Sequence, residues 1–354
     1  MYQRGRQPLS TDSPKTLLMG EAFLSLDTRY QREILLTAAD KSRRPPTILE
    51  KDVWLCWILQ VLFAIPDHHP MAFKGGTSLS KVYAIIDRFS EDVDITLDYR
   101  AFKINFDPFA DDVSNNKIKQ FSDRLKTRVK SYTQDVVMPA LAKASETLAT
   151  CGQHKIRVDN HGEKVWFSYP SAVEDQDDYL ASEVLLEFGG RNVIDPNEHY
   201  TIRPDIASVT SDIDYPEVAV TVLSPSRTFW EKATLIHVEC NRGRLSDNPE
   251  RLSRHWYDLV CFGQHRIGRK AIDDRSLLED VIQHKKIFFN ASYARYDDCL
   301  AGKLRLIPDK DDLFGLQSDY KEMHTAGMLS DAAPNFEALI EQVRAIENQV
   351  NCRL

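Results

Sequence analysis

Asp92 and Asp94 stand two positions apart in the run Arg88-Phe89-Ser90-Glu91-Asp92-Val93-Asp94-Ile95, and the glycine pair Gly75-Gly76 lies upstream of them. Alternate residues of a strand share a face. Arg88, Ser90, Asp92 and Asp94 therefore project together, while Phe89, Val93 and Ile95 face a core. Two carboxylates so placed suit a hard divalent cation such as magnesium, which takes oxygen ligands and keeps room for substrate phosphates. Upstream, Met71-Ala72-Phe73 reads as the end of a buried strand, and the two glycines permit a tight turn. Leu79, Val82, Tyr83 and Ile86 then repeat at helical spacing. Free N–H groups at such a helix start suit a phosphate, which makes Gly75, Gly76, Thr77 and Ser78 candidate nucleotide contacts. The combination points to a nucleoside triphosphate and a metal held side by side, as nucleotidyl transfer requires. The plain alternative is a strand–turn–helix–strand unit with solvated aspartates.

The elements that must position these residues belong to an ordinary globular chain of 354 residues, 42% hydrophobic and 28% charged. That length predicts two lobes. No apolar run approaches the ~20 residues of a membrane helix, and the start of the sequence has no secretion-signal core. The six cysteines form no CxxC pair, which argues against a zinc site and a disulfide framework. A cytoplasmic protein is the expectation. The net charge of −8 means that any nucleic-acid partner needs a local basic patch.

One such patch is the run 117–130, with six basic residues and one acid. Ile118, Phe121, Leu125, Val129 and Tyr132 form an apolar helical stripe, flanked by Lys117, Lys119, Arg124, Lys126, Arg128 and Lys130. These cations either snorkel over a buried face or contact the phosphates of a nucleic-acid or nucleotide substrate. Thr47 and Glu50 have capping-box spacing for a helix that runs on through Phe63. Lys155–Val158 and Val165–Tyr169 alternate around Asn160-His161-Gly162 as a hairpin. Glu187 stands alone in the apolar strand Val184–Phe188, where a carboxylate is costly unless paired or metal-bound; Arg191 is the nearby pairing partner. Ser224-Pro225 opens a further helix, and the remainder reads as helices.

The pattern Gly-Gly-Thr-x-Leu…Arg-Phe-Ser-Glu-Asp-x-Asp resembles the first motif of the AbiEii/AbiGii-type nucleotidyltransferase toxins, a branch of the DNA polymerase β-like superfamily. Thr228-Phe229-Trp230-Glu231-Lys232 and Arg254-His255-Trp256-Tyr257-Asp258-Leu259 resemble that family's later Lys and Asp motifs, so the likeness spans roughly residues 45–265. The resemblance implies that Asp92 and Asp94 hold magnesium with Glu187 as third carboxylate. It implies that Lys232 meets the triphosphate, that Arg191 is available to a phosphate, and that Asp258 matters for activity; Ser90 is placed at the same phosphates by strand geometry, since it shares the face of Asp92 and Asp94. It further implies a toxin of a toxin–antitoxin or phage-defence system with a cognate antitoxin, and an RNA acceptor, the tRNA 3′ end above all.

The expected fold is an α/β (α+β) polymerase β-like nucleotidyltransferase core with a mixed sheet. Residues 1–14 are expected to be disordered, 15–223 to form the core with N-terminal helices and a helical insertion at about 115–150, and 224–354 a helical lobe carrying the Lys and Asp motifs. Rival functions are transfer to a protein or small-molecule hydroxyl, or nucleotide binding without catalysis.

Overall fold

A computed structural model describes residues 21–173, 182–210, 212–245, 252–330 and 332–353. The stretch expected to be disordered, 1–14, lies outside them. The chain opens with a two-residue strand β1 (Glu21–Ala22) and helices α1 (Thr28–Ser42) and α2 (Pro46–Phe63). It continues with β2 (Met71–Lys74), α3 (Gly75–Lys81), β3 (Asp92–Asp98), α4 (Asn115–Tyr132) and α5 (Met138–Ser145). Next come β4 (Lys155–Val158), β5 (Lys164–Ser168), β6 (Glu183–Asn192), β7 (Asn197–Ile202), β8 (Ile213–Asp214) and β9 (Val218–Leu223). Helices follow: α6 (Pro225–Asn241), α7 (Arg254–Gln264), α8 (Arg266–Asp273), α9 (Arg275–Phe288), α10 (Tyr296–Leu300), α11 (Lys310–Thr325) and α12 (Phe336–Arg353).

Seven strands form one mixed sheet in the order β4-β5-β6-β3-β2-β9-β7, and β1 pairs with β8 apart from it. Strand β3 runs parallel to β6 and antiparallel to β2, which in turn runs parallel to β9. One face of this sheet is apolar: Phe73, Val93, Ile95, Val165, Phe167, Val184, Leu186 and Phe188 are buried in a cluster with α1, α2, α4 and α5. Trp54 and Trp57 of α2 pack on Phe167, with ring centroids 5.9 and 5.2 Å away. A second cluster joins α6 to α12, and it also takes in Leu79 of α3 with Ile85 and Ile86. Among the described residues no helix is long and apolar enough to cross a membrane.

The mixed α/β architecture is as expected, and several local expectations are corrected. Helix α3 stops at Lys81 instead of running through Ile86, because Ala84 adopts a left-handed conformation with φ 47°. Strand β3 starts at Asp92, not Phe89: Arg88 forms a bridge to Leu329, and the Phe89 N–H donates to Met328 O at 3.0 Å. No capping box forms at Thr47, since α2 begins at Pro46 behind Pro45. The Glu50 carboxylate accepts instead from the Ala172 N–H at 2.6 Å and the Ser171 hydroxyl at 2.5 Å. Before Pro139 the expected continuous helix loosens into a π-turn at Thr133–Val137, which accommodates a residue that cannot donate within a helix. Strand β7 has no sequence signature because it is an exposed edge strand, whose only buried residue is Ile202.

Candidate active site

A cleft of about 290 Å³ opens between the sheet and helices α6 and α7, lined by Lys74, Gly75, Gly76, Ser90, Asp92, Asp94, Glu187 and Lys232, among others. The order of strands creates it. Asp92 and Asp94 alternate with buried Val93 and Ile95, so both carboxylates leave β3 on the face away from the apolar cluster. The parallel pairing of β3 with β6 sets Asp94 directly opposite Glu187, and paired residues point to the same face. Lys74, the last residue of β2, is opposite Asp94 on the other side.

The glycine turn fits this arrangement through close approach. Gly75 has φ +74°, and a Cβ there would overlap Asp94 Oδ2. A Cβ on Gly76 would lie 2.5 Å from Arg88 Nη2 and 2.6 Å from Ser90 Oγ. Thr77 and Ser78 are buried and turn inward. The Thr77 hydroxyl donates to the carbonyls of Ser90 at 3.1 Å and Asp92 at 2.5 Å, and the Ser78 hydroxyl to Gly75 O at 2.9 Å. Their side chains brace the turn against the entry to β3 and do not line the cleft.

Beneath the cleft floor lies Asp258, fully buried. Its carboxylate accepts from Arg88 at 2.7 and 2.9 Å and pairs with Lys232 Nζ at 2.9 Å. Lys232 Nζ also lies 3.4 Å from His255 Nδ1. Burial opposes ionisation of Asp258, but Arg88 and Lys232 hold its carboxyl well below the ordinary carboxylate range. Burial lowers Lys232, with Arg88 and Arg254 adding to that against Asp258. His255 is pushed well below its usual range by burial and by the Lys232 and Arg254 charges, so the ring is neutral at pH 7. Burial raises Asp94, and Glu187 and Asp92 add to it, against Lys74 and Arg254.

Each cleft carboxylate has a cationic neighbour. Arg254 Nη1 lies 3.3 Å from Asp92 Oδ2, and Lys164 Nζ lies 3.0 Å from Glu187 Oε1. Lys74 bridges toward Glu231 at 3.5 Å. Among the described residues no group of three or more Asp, Glu, His or Cys side chains is drawn together closely enough to hold a metal ion. Carboxylate oxygens on one wall of an open cleft are the donor chemistry that a hard divalent cation takes, and such an ion need not have an all-protein cage.

Of the residues predicted from sequence, the fold brings together Gly75, Gly76, Ser90, Asp92, Asp94, Glu187 and Lys232, with Asp258 behind them. Arg191 is not among them. It shares the sheet face of Glu187, but its guanidinium sits 4.9 Å over the ring of Phe289, and the Glu187 partner is Lys164 in its place. The cations of α4 are also elsewhere. Val129 of α4 packs where a Cβ on Gly190 would be, and Gly190 points to the apolar face of β6. Lys119, Arg124, Lys126, Arg128 and Lys130 therefore lie outside the cleft lining, on a helix that packs Val129 on the apolar face of β6 and Phe121 and Leu125 against Phe288 of α9. Among the cleft residues that carried no predicted role are Lys74, Glu231 and Arg254. Lys74 had a usable signal, a lysine closing a buried strand next to the glycine turn; Arg254 lies one helical turn before Asp258.

The profile of the family described as "Nucleotidyl transferase AbiEii toxin, Type IV TA system" matches residues 57–342. No curated protein matches the sequence. Among solved structures, the chain is similar to MenT4, a nucleotidyltransferase toxin from Mycobacterium tuberculosis H37Rv, at 16% identity and a TM-score of 0.49, over 91% of this chain and 90% of that one.

Proposed function

The chain belongs to the AbiEii family of nucleotidyltransferase toxins of type IV toxin–antitoxin systems, and from that premise we propose a magnesium-dependent transfer of nucleotides from a nucleoside triphosphate to the 3′ end of an RNA, tRNA foremost. The observation that carries the reading is the register of β3 and β6, which sets Asp94 opposite Glu187 on the face that also holds Asp92. Asp92, Asp94 and Glu187 would hold the ions. Bound magnesium supplies Lewis acidity, lowering the pKa of the attacking hydroxyl and neutralising the leaving phosphates.

The remaining work falls to the chain's own groups. Lys232, fixed by Asp258, offers a compact point charge to the triphosphate. Gly75 and Gly76 keep the floor low enough for phosphates to approach, and Ser90 offers a hydroxyl beside the carboxylates. Arg254 and Lys164 balance Asp92 and Glu187. Asp258 serves as a positioning residue, since its buried carboxylate is satisfied by Arg88 and Lys232 and is kept ionised. A cytoplasmic location and a cognate antitoxin complete the proposal, in keeping with the type IV family.

The test is incubation with magnesium, each labelled nucleoside triphosphate in turn, and total RNA. Label on RNA, lost with Asp92→Ala, is expected. Label on protein alone, or none with any nucleotide, overturns the reading.

A further inference from the structure

We propose that the unburied face of β4, β5 and β6 is a platform for the single-stranded end of the acceptor, with a base stacked on Trp166. This rests on the RNA-directed transfer proposed above and names the surface that presents the acceptor to it.

The argument starts from register. Asp92 pairs with Leu185, Leu185 with Trp166, and Trp166 with Arg157. Directly opposed residues in a sheet share a face, so these four side chains form one row across four strands. It runs from the catalytic carboxylates to the sheet edge. A second row joins Asp94 through Glu187 to Lys164. With strands ~4.8 Å apart, Trp166 lies roughly 10 Å from Asp92 in the plane of the sheet. A terminal nucleotide whose hydroxyl reaches the carboxylates can therefore lay its own base, or the preceding one, on that ring.

Burial and chemistry fit such an occupant. The alternate residues Val165, Phe167, Val184 and Leu186 are buried against the apolar core, which makes the platform rigid. Trp166 and Leu185 are only half-buried. The Arg157 guanidinium lies over one face of the Trp166 ring, 5.1 Å from its centre, and is paired with Glu183 at 2.7 Å. An aromatic ring with an adjacent guanidinium on an open sheet is the combination that stacks single-stranded bases irrespective of sequence. Lys155 and Lys164 are exposed on the same face, placed to meet phosphates. Cations on an edge strand also discourage unwanted strand pairing. That role accounts for Lys155 and Arg157 but not for a tryptophan in the row that leads to the cleft.

The experiment compares the parent with Trp166→Ala and Trp166→Phe. For transfer to a single-stranded RNA bearing a 3′ hydroxyl, Trp166→Ala should raise the acceptor KM by about tenfold or more, leaving the nucleotide KM and the Tm unchanged. Trp166→Phe should recover most of the loss. An acceptor KM unmoved in Trp166→Ala overturns the platform. A second readout does not depend on catalysis: the same oligonucleotide should quench the parent's tryptophan fluorescence more than a blunt duplex does, and the excess should vanish in Trp166→Phe. Equal quenching in parent and Trp166→Phe sinks the platform even if RNA is labelled. If only protein becomes labelled, the transfer reading fails, and the quenching result alone decides the platform.

Discussion

Arg88 and Asp258, far apart in sequence, meet fork to fork beneath the cleft, with Nε–Oδ1 at 2.7 Å and Nη2–Oδ2 at 2.9 Å. The two side chains are 2% and 0% exposed. The pair ties the segment before β3 to helix α7, and Lys232 leans on the same carboxylate. Removing one member of a buried pair leaves a charge without compensation and costs about 3–5 kcal/mol. Asp258→Asn is therefore expected to lose about that much stability in denaturant titration and to abolish transfer. A loss under about 1 kcal/mol would show that the pair is dispensable to the fold.

The same carboxylate makes a pH prediction. Its folded pKa lies below the unfolded value of about 3.9 because Arg88 and Lys232 outweigh burial. The stabilisation it contributes is thus complete above about pH 4 and drains away as pH falls toward the folded pKa. Denaturant midpoints followed from about pH 7 to about pH 3 should fall more steeply for the parent than for Asp258→Asn in the acid range. Parallel curves would remove Asp258 from the acid response.

Asp94→Asn should separate stability from function. Burial, Glu187 and Asp92 all disfavour its charged form, so neutralising it relieves an unfavourable interaction. The expected outcome is a Tm in chelator equal to or above the parent's, with transfer lost. Magnesium should raise the Tm of the parent and not that of the variant; an equal rise in both would argue against Asp94 as a ligand.

The glycine turn gives a steric prediction. In Gly76→Ala the new methyl meets Arg88 Nη2 and Ser90 Oγ at 2.5 and 2.6 Å, and Arg88 cannot retreat while Asp258 grips it. Overpacking of this kind costs about 1–3 kcal/mol, and nucleotide binding should weaken with it. Gly315→Ala in α11 is the control. Nothing lies within 4 Å of its added Cβ, so it should gain about 0.5–1 kcal/mol in the helix. Equal effects at both positions would mean that the contact at Gly76 is easily relieved.

Charge reversal on α4 at Lys119, Arg124 and Lys126 tests RNA contact outside the cleft lining. Transfer to a short single strand should be unaffected. With a long RNA, the salt slope should flatten by about one unit per lost phosphate contact. An unchanged slope would leave these cations as solvated flanks of a buried helix face.

What the sequence determined by itself was local. The Asp92–Asp94 spacing set two carboxylates on one strand face, the glycine pair marked a close turn, and the motif order with Lys232 and Asp258 pointed to the family. Strands β2 and β9 were legible because their apolar runs sit between clear breaks. Alternation, turn chemistry and motif spacing act between near neighbours, so one sequence is enough to read them. The tertiary structure decided the pairings. Register across the sheet set Glu187 opposite Asp94 and gave Glu187 to Lys164, not Arg191. Packing put Arg88 and Lys232 on Asp258, brought Arg254 to Asp92, and kept the α4 cations out of the cleft lining. None of these contacts is encoded in a spacing along the chain. Each follows from which strands run side by side and which face of the sheet the apolar core claims.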